Sequence, residues 1–135
     1  EGVRTFPISS SEKRYATIQE DLTRLARDKS MDRSIFLFHS PPYETKLDLS
    51  ALGGRMVDHV PLDQHLGSIA IRRFIEARQP LLSLHGHIHE SARISSSWRD
   101  LIGRTHCFSA AHDGPELALI RFDPERLEAA TRLLI

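Results

Sequence analysis

The residues of this sequence best suited to chemistry are histidines that follow an apolar segment. Residues 81–84 include three leucines, and His85, His87 and His89 come next at alternate positions, with Gly86 between the first two. Alternate side chains of an extended segment point the same way, so His87 and His89 can address one volume. Gly86 allows a bend or a close backbone approach. Because neutral imidazole binds transition metals well, the pattern predicts a metal site at the end of a buried strand.

A second histidine follows another apolar segment. Residues 34–38 are rich in β-branched and aromatic side chains and predict a strand, and His39 comes directly after them, before Ser-Pro-Pro-Tyr. Taken alone, His39 is most simply a strand-end histidine satisfied by the backbone. With eight histidines in 135 residues, an isolated His-x-His pair is also weak evidence. Two strands that both end in histidine favour a shared metal site.

The segment between these strands predicts a helix from Ser68 to about Arg78, with three inward apolar residues: Ile71, Phe74 and Ile75. A strand, a helix and a second strand in succession favour a parallel strand pair whose carboxyl ends lie together. We therefore expect His39 to lie near His87 and His89.

The remaining elements are predicted from periodicity and turn residues. Ser9 and Glu12 have capping-box spacing before a helix over about residues 11–28, whose apolar face comprises Ile18, Leu22, Leu25 and Ala26. Residues 43–66 and 91–103 are interpreted as loops, and Trp98 in the second as a cover for the sheet edge. Two further strands are predicted, 104–109 and 117–122; the tail from residue 124 fits a helix or a strand.

The order of these motifs resembles the C-terminal half of the calcineurin-like metallophosphoesterases over about residues 34–122. Gly86-His87-Ile88-His89 corresponds to the last motif of that family, and His39 to the isolated metal-binding histidine before it. The resemblance implies an α/β fold, part of an αββα sandwich whose strands end in metal-ligand loops with flanking helices. It implies two divalent transition metal ions (Mn, Fe, Ni or Zn), with His39 and His87 on one metal and His89 on the other.

The implied activity is hydrolysis of phosphomonoesters or phosphodiesters, with a phosphate ester as the substrate. In the resembling enzymes the loop after the first histidine carries variable substrate contacts, so Tyr43, Arg55 and His65 are candidates for that role. A solvated loop is the simpler interpretation of each of the three.

The sequence departs from the family in its other motifs. It contains no asparagine and no Gly-Asp pair, so the family's Gly-Asn-His and Gly-Asp motifs are absent and the catalytic residues stay unknown. Asp63-Gln64-His65 is a literal Asp-x-His, but it comes after His39 and before a helix, and we leave it out of the metal site. We interpret residues 1–135 as a single domain, the C-terminal portion of a metallophosphoesterase domain whose N-terminal half is missing or supplied by a companion chain.

The overall composition limits the kinds of partner that this chain is expected to bind. Eighteen basic and eighteen acidic residues cancel without long runs, which argues against nucleic-acid binding through bulk charge. No apolar run approaches a membrane span. The single Cys107 has no partner for an internal disulfide, so we expect a reducing, cytoplasmic setting. A truncated sheet would expose strand edges, so self-association is also expected.

Two alternatives stay open. One is a metal-poor relative that kept the fold as a protein-binding scaffold. The other is an unrelated domain with one structural zinc held by histidines among His85, His87, His89 and His106; a closed zinc site takes four ligands, and only one cysteine is present.

Overall fold

The computed structural model describes residues 17–135, which form a mixed α/β structure. In chain order its helices and strands are α1 (Ile18–Ala26), β1 (Ile35–Leu37), β2 (Met56–Val57), β3 (Val60–Pro61), α2 (Ile69–Arg78), β4 (Leu82–His85), α3 (Ser91–Ser95), β5 (Arg99–Ile102), β6 (Thr105–Ser109), β7 (Ala118–Arg121) and β8 (Thr131–Leu134), with a 3₁₀ helix at Leu127–Ala129 before β8.

A four-stranded sheet in the order β1-β4-β6-β5 organises the described chain. Strand β1 is parallel to β4, with Ile35 opposite Leu82, and β4 is parallel to β6. Strand β5 is antiparallel to β6 and joined to it by a two-residue turn. The predicted parallel pair of histidine-bearing strands is therefore confirmed. It places the carboxyl ends of β1 and β4 side by side.

Helix α2 connects these two strands as predicted. The hydroxyl oxygen of Ser68 accepts from the backbone N–H of Ile71 at 3.3 Å, which satisfies one of the free donors of the first turn. The helix ends where Gln79 adopts a left-handed conformation with φ 47°, and the Gln79 side chain donates to the carbonyl of Ile75 at 2.8 Å. The three predicted inward residues of this helix are all buried.

Helix α1 spans Ile18–Ala26, and the predicted start at residue 11 lies outside the described residues. The Thr17 hydroxyl accepts from the backbone N–H of Glu20 at 3.2 Å, and the Glu20 carboxylate accepts from the backbone N–H of Thr17 at 3.0 Å. This reciprocal pair is a capping box. Ser9 and Glu12, which were predicted to form such a box, lie outside the described residues.

The buried face of α1 is narrower than predicted. Leu22 and Ala26 are buried, whereas Ile18 and Leu25 are exposed. A helix that touches its neighbours along one narrow stripe buries only the residues on that stripe.

Apolar side chains cover parts of both faces of the sheet. On one face, α1 and α2 pack with residues of the sheet in a core formed by Leu22, Ala26, Met31, Leu47, Ile71, Phe74, Ile75, Ile102 and Cys107. On the other face, the C-terminal segment packs on β4 and β6 in a second core formed by Leu82, Phe108, Leu127 and Ala130. Trp98 lies against Phe108 there, with ring centroids 5.3 Å apart.

Two predicted loops contain regular structure. Residues 91–103 were predicted to be irregular, which is wrong, because they contain α3 and β5. Residues 43–66 contain the short hairpin β2–β3, whose turn residues Asp58 and His59 both have positive φ, as its twist requires. The strands at 104–109 and 117–122 are confirmed, and the tail forms a strand that pairs with β7.

Strand β1 lies at the edge of the sheet, and its Leu37 is 79% exposed. An edge strand with an exposed apolar side chain is a template for pairing with another chain, so the expected self-association stays a prediction. Within residues 17–135, no helix is long and apolar enough to cross a membrane.

Candidate metal centre

The first predicted ligands meet where β1 and β4 end. The parallel pairing continues past the strands, because the Phe38 N–H donates to the Leu84 carbonyl at 2.9 Å and the Gly86 N–H donates to the His39 carbonyl at 3.1 Å. His39 Nε2 then lies 2.9 Å from His87 Nδ1, and the two ring centroids are 4.7 Å apart. The structure thus brings His39 and His87 together across two strands.

The backbone at His87 has a left-handed conformation with φ 74°. Residues other than glycine rarely adopt this backbone conformation, and those that do cluster at functional sites. Gly86 was expected to allow a bend or a close backbone approach, and the positive φ occurs at the next residue, His87. A Cβ added at Gly86 would lie 3.7 Å from the His39 carbonyl oxygen, an ordinary contact.

The predicted alternation of side chains after the strand also fails. Strand β4 ends at His85, and residues 87–90 turn before α3. His89 is exposed at this turn, and within residues 17–135 no hydrogen bond joins it to His39 or His87. Burial is the main cause that lowers the pKa of His87, and the charges of His39 and His89 lower it further.

The His39–His87 pair fits two ligands of one metal ion. At a metal–nitrogen distance of about 2.1 Å, adjacent ligands of one ion lie about 3.4 Å apart in tetrahedral geometry and about 3.0 Å apart in octahedral geometry. The observed 2.9 Å is close to the octahedral value. Within the described part of the chain, no group of three or more histidine, cysteine, aspartate or glutamate residues is arranged to hold an ion. His39 and His87 therefore fit part of a coordination sphere.

His85 has a different environment from the other two histidines of its segment. It is buried, its Nδ1 lies 3.0 Å from the Ser40 carbonyl oxygen, and its Nε2 lies 2.8 Å from the Ser83 hydroxyl. Since a carbonyl only accepts, Nδ1 donates and Nε2 accepts from Ser83. Burial lowers the pKa of His85 to about 4. Both nitrogens are occupied, so His85 is a core residue that connects the strand to the loop after His39.

His106 is also separate from the pair. It lies on β6 opposite Leu82, at the start of β4, whereas His85 at the other end of β4 lies opposite Ser109. Its ring packs edge-on against Phe108. The geometry therefore gives no support to a single zinc site that combines His85 or His106 with His87 and His89.

The loop after His39 contains a buried carboxylate, Asp48, that was not predicted from the sequence. Asp48 is fully buried, and its Oδ1 lies 2.8 Å from Nδ1 of His65. No motif or periodicity marks Asp48 in the sequence. His65, a predicted candidate for substrate contact, is thereby fixed by a buried partner.

The other two candidates on this loop differ in their surroundings. The Tyr43 hydroxyl donates to Asp63 at 2.6 Å, and this hydrogen bond is the main cause that raises the pKa of Tyr43 to about 12. The Tyr43 ring packs edge-on against His65, with centroids 5.9 Å apart. Arg55 is exposed just before the β2–β3 hairpin, with no side-chain partner among residues 17–135.

Comparisons with known proteins add little. No family model matches the chain, and no curated protein does. One solved crystal structure aligns with 86% of this chain at a TM-score of 0.49 and 17% sequence identity, and the chain spans 37% of that protein's length. A likeness at this level identifies no family.

Proposed function

We propose that this chain supplies the C-terminal ligands of a dinuclear metal centre in a metal-dependent phosphoesterase. The observation that carries the proposal is the 2.9 Å separation of His39 Nε2 and His87 Nδ1 at the ends of two parallel strands. The family resemblance of the Gly-His-x-His segment supports the same assignment. In this proposal His89 binds the second ion.

The chemistry divides between the metals and the chain. When bound, two divalent ions supply an activated water and neutralise charge on the phosphate oxygens. The chain's own residues hold the ligands in place: the β1–β4 pairing sets the distance between His39 and His87, and His85 anchors the Ser40 loop beside them. Such fixed positions are what in-line attack on a phosphate ester requires.

The proposal includes the second layer of an αββα sandwich. Helices α1 and α2 cover one face of the sheet, while Leu37 on β1 is 79% exposed on the opposite face. We propose that a missing N-terminal half or a companion chain covers this part of the sheet and brings the remaining metal ligands. Two ions together take about eight or more ligands. His39, His87 and His89 would supply only three of them.

The experiment is Mn²⁺-stimulated hydrolysis of a chromogenic phosphodiester by the product of the full reading frame. The 135-residue chain alone serves as one control, and His106→Ala, which changes a histidine away from the pair, serves as the matched variant. We expect hydrolysis by the full product and by His106→Ala, and its loss in His39→Ala. Hydrolysis that survives in His39→Ala would contradict the proposal.

The scaffold alternative predicts a different result. It is compatible with the lack of a complete ligand group within residues 17–135. A full product that binds no metal and hydrolyses no phosphate ester would favour it over the phosphoesterase.

A further inference from the structure

The carboxylate of Asp48 organises the loop between β1 and α2. It is fully buried and accepts from four donors: the backbone N–H groups of Glu44, Thr45 and Gly67, and the His65 ring. Burial of a carboxylate is costly unless its oxygens are satisfied in this way. Because Asp48 acts as an acceptor, the nitrogen of His65 that faces it carries the proton.

This arrangement leaves the other nitrogen of His65 open. Nδ1 donates to Asp48 at 2.8 Å, and the backbone N–H of His65 donates to Asp63 at 2.8 Å. The side chain is 23% exposed, and Nε2 has no hydrogen-bond partner within residues 17–135. A histidine held through Nδ1 by a carboxylate presents Nε2 in a fixed direction, which suits contact with a ligand.

The loop lies along the same sheet end as the metal-ligand candidates. Ser68 lies three residues after His65, and its N–H donates to the carbonyl of Pro41 at 2.8 Å. Pro41 in turn lies two residues after His39. In the middle of the loop, the Ala51 N–H donates at 3.3 Å to the carboxylate of Glu90, the residue directly after His89. These contacts hold the loop against both histidine-bearing segments.

We propose that His65 is a substrate-binding residue whose Nε2 hydrogen-bonds the phosphate group of the ester, and that Asp48 is its positioning residue. The inference rests on the proposed phosphoesterase function and deepens it. Because Asp48 holds the ring proton on Nδ1, the lone pair of Nε2 faces outward as an acceptor, which suits a P–OH group of the phosphate. The remaining donors to Asp48 serve to keep the carboxylate in place.

The test uses inorganic phosphate as the probe and the product of the full reading frame, supplied with Zn²⁺. Isothermal titration calorimetry measures phosphate affinity, and steady-state kinetics measures KM for a chromogenic phosphate ester. The variant is His65→Asn. The matched control is His59→Asn, on the same loop, because His59 is exposed at a hairpin turn whose φ of 68° asparagine tolerates.

We expect His65→Asn to weaken phosphate binding and raise KM at least about tenfold, as for loss of a hydrogen bond to a charged group. His59→Asn should stay within about twofold of the wild type, since surface changes of this kind have small effects. Equal phosphate affinity in His65→Asn and wild type, with only a lower Tm, would overturn the proposal and leave Asp48–His65 as a structural contact.

The role of Asp48 has its own readout. In ¹⁵N-detected spectra we expect His65 of the wild type to carry its proton on Nδ1, and Asp48→Asn to change this tautomer balance and weaken phosphate binding. The double variant should bind phosphate no more weakly than His65→Asn alone, because both changes remove one interaction. Additive losses would show that Asp48 does not act through His65. If Asp48→Asn fails to fold, the His65→Asn comparison still decides.

The two proposals fail in different ways. If phosphate binding depends on His65 but the protein hydrolyses no phosphate ester, the phosphoesterase proposal is wrong and His65 belongs to an anion-binding site. Hydrolysis with normal KM in His65→Asn would keep the phosphoesterase and remove this inference. If phosphate binding does not depend on His65 and the protein hydrolyses no phosphate ester, both proposals are wrong.

Discussion

Nδ1 of His85 donates to the carbonyl of Ser40 at 3.0 Å, which connects the end of β4 to the loop that follows β1. The Ser83 hydroxyl occupies the opposite nitrogen at 2.8 Å. The contact makes the position of His39, next to Ser40, depend on a buried neutral imidazole.

The stability of the fold should therefore fall in weak acid. Burial lowers the pKa of folded His85 from 6.5 to about 4. Between these values the unfolded chain binds more protons, so the free energy of unfolding should fall as the pH is lowered from 6.5 to 4, by about 3 kcal/mol for this group alone. Chemical denaturation at a series of pH values, with a chelator present, measures the loss.

The comparison that isolates His85 is between His85→Gln and His106→Gln. His85→Gln should have a lower free energy of unfolding at pH 7, and this free energy should change less between pH 6.5 and 4 than in the wild type. In His106→Gln the free energy of unfolding should depend on pH as in the wild type. An unchanged slope in His85→Gln would show that other groups cause the acid sensitivity.

Ligand loss and backbone strain can be separated at His87. Its φ of 74° suits glycine better than any residue with a Cβ. Both His87→Gly and His87→Ala should lose metal affinity by at least about tenfold, as for loss of a ligand nitrogen. Only His87→Gly should keep the wild-type free energy of unfolding or raise it, by up to about 1 kcal/mol. Equal metal binding in wild type and His87→Gly would remove His87 from the site.

Two glycines near the candidate sites should respond differently to a methyl group. A Cβ at Gly67 would lie 2.6 Å from the Pro42 carbonyl oxygen and 2.7 Å from Oδ2 of Asp48. Gly67→Ala should lower the free energy of unfolding by roughly 2 kcal/mol or more, because neither backbone nor buried carboxylate can move freely. Gly86→Ala meets only an ordinary contact and should cost under about 1 kcal/mol. Thermal unfolding of the two variants tests the difference, and a cost at Gly86 equal to that at Gly67 would contradict it.

The hydrogen bond between Tyr43 and Asp63 should be visible in a spectroscopic titration. Asp63 raises the pKa of Tyr43 to about 12, and the chain contains only one other tyrosine, Tyr15. Absorbance near 295 nm, compared between wild type and Tyr43→Phe, isolates the Tyr43 ionisation. In Asp63→Asn this ionisation should move down towards the ordinary pKa of tyrosine; an unchanged titration would mean that the hydrogen bond does not form in solution.

The architecture around His39 and His87 could be predicted because it follows from chain order. Two apolar segments separated by one amphipathic helix favour parallel strands on general grounds, and α2 between β1 and β4 confirms this. The ends of such strands necessarily meet. The contact between the two histidines is a consequence of that topology, so no precise side-chain placement was needed to expect it.

The environment of His65 could not be predicted in the same way. Asp48 lies 17 residues away along an irregular loop, and it is fixed by backbone N–H groups whose positions no sequence pattern encodes. The bend at His87 could not be predicted either, since glycine permits a left-handed bend at position 86 but does not require one there. Strand β5 was missed because it is a short partner of β6, with Arg99 and Leu101 both exposed.

The most direct test of the central claim is an anomalous-difference map from crystals of the full reading-frame product grown with Mn²⁺. We predict a peak at about 2.2 Å from both Nε2 of His39 and Nδ1 of His87, as expected for one ion held by two imidazoles. The same peak should be absent in His39→Ala. A map with no peak between these two nitrogens, or with Mn²⁺ bound only elsewhere, would contradict the account.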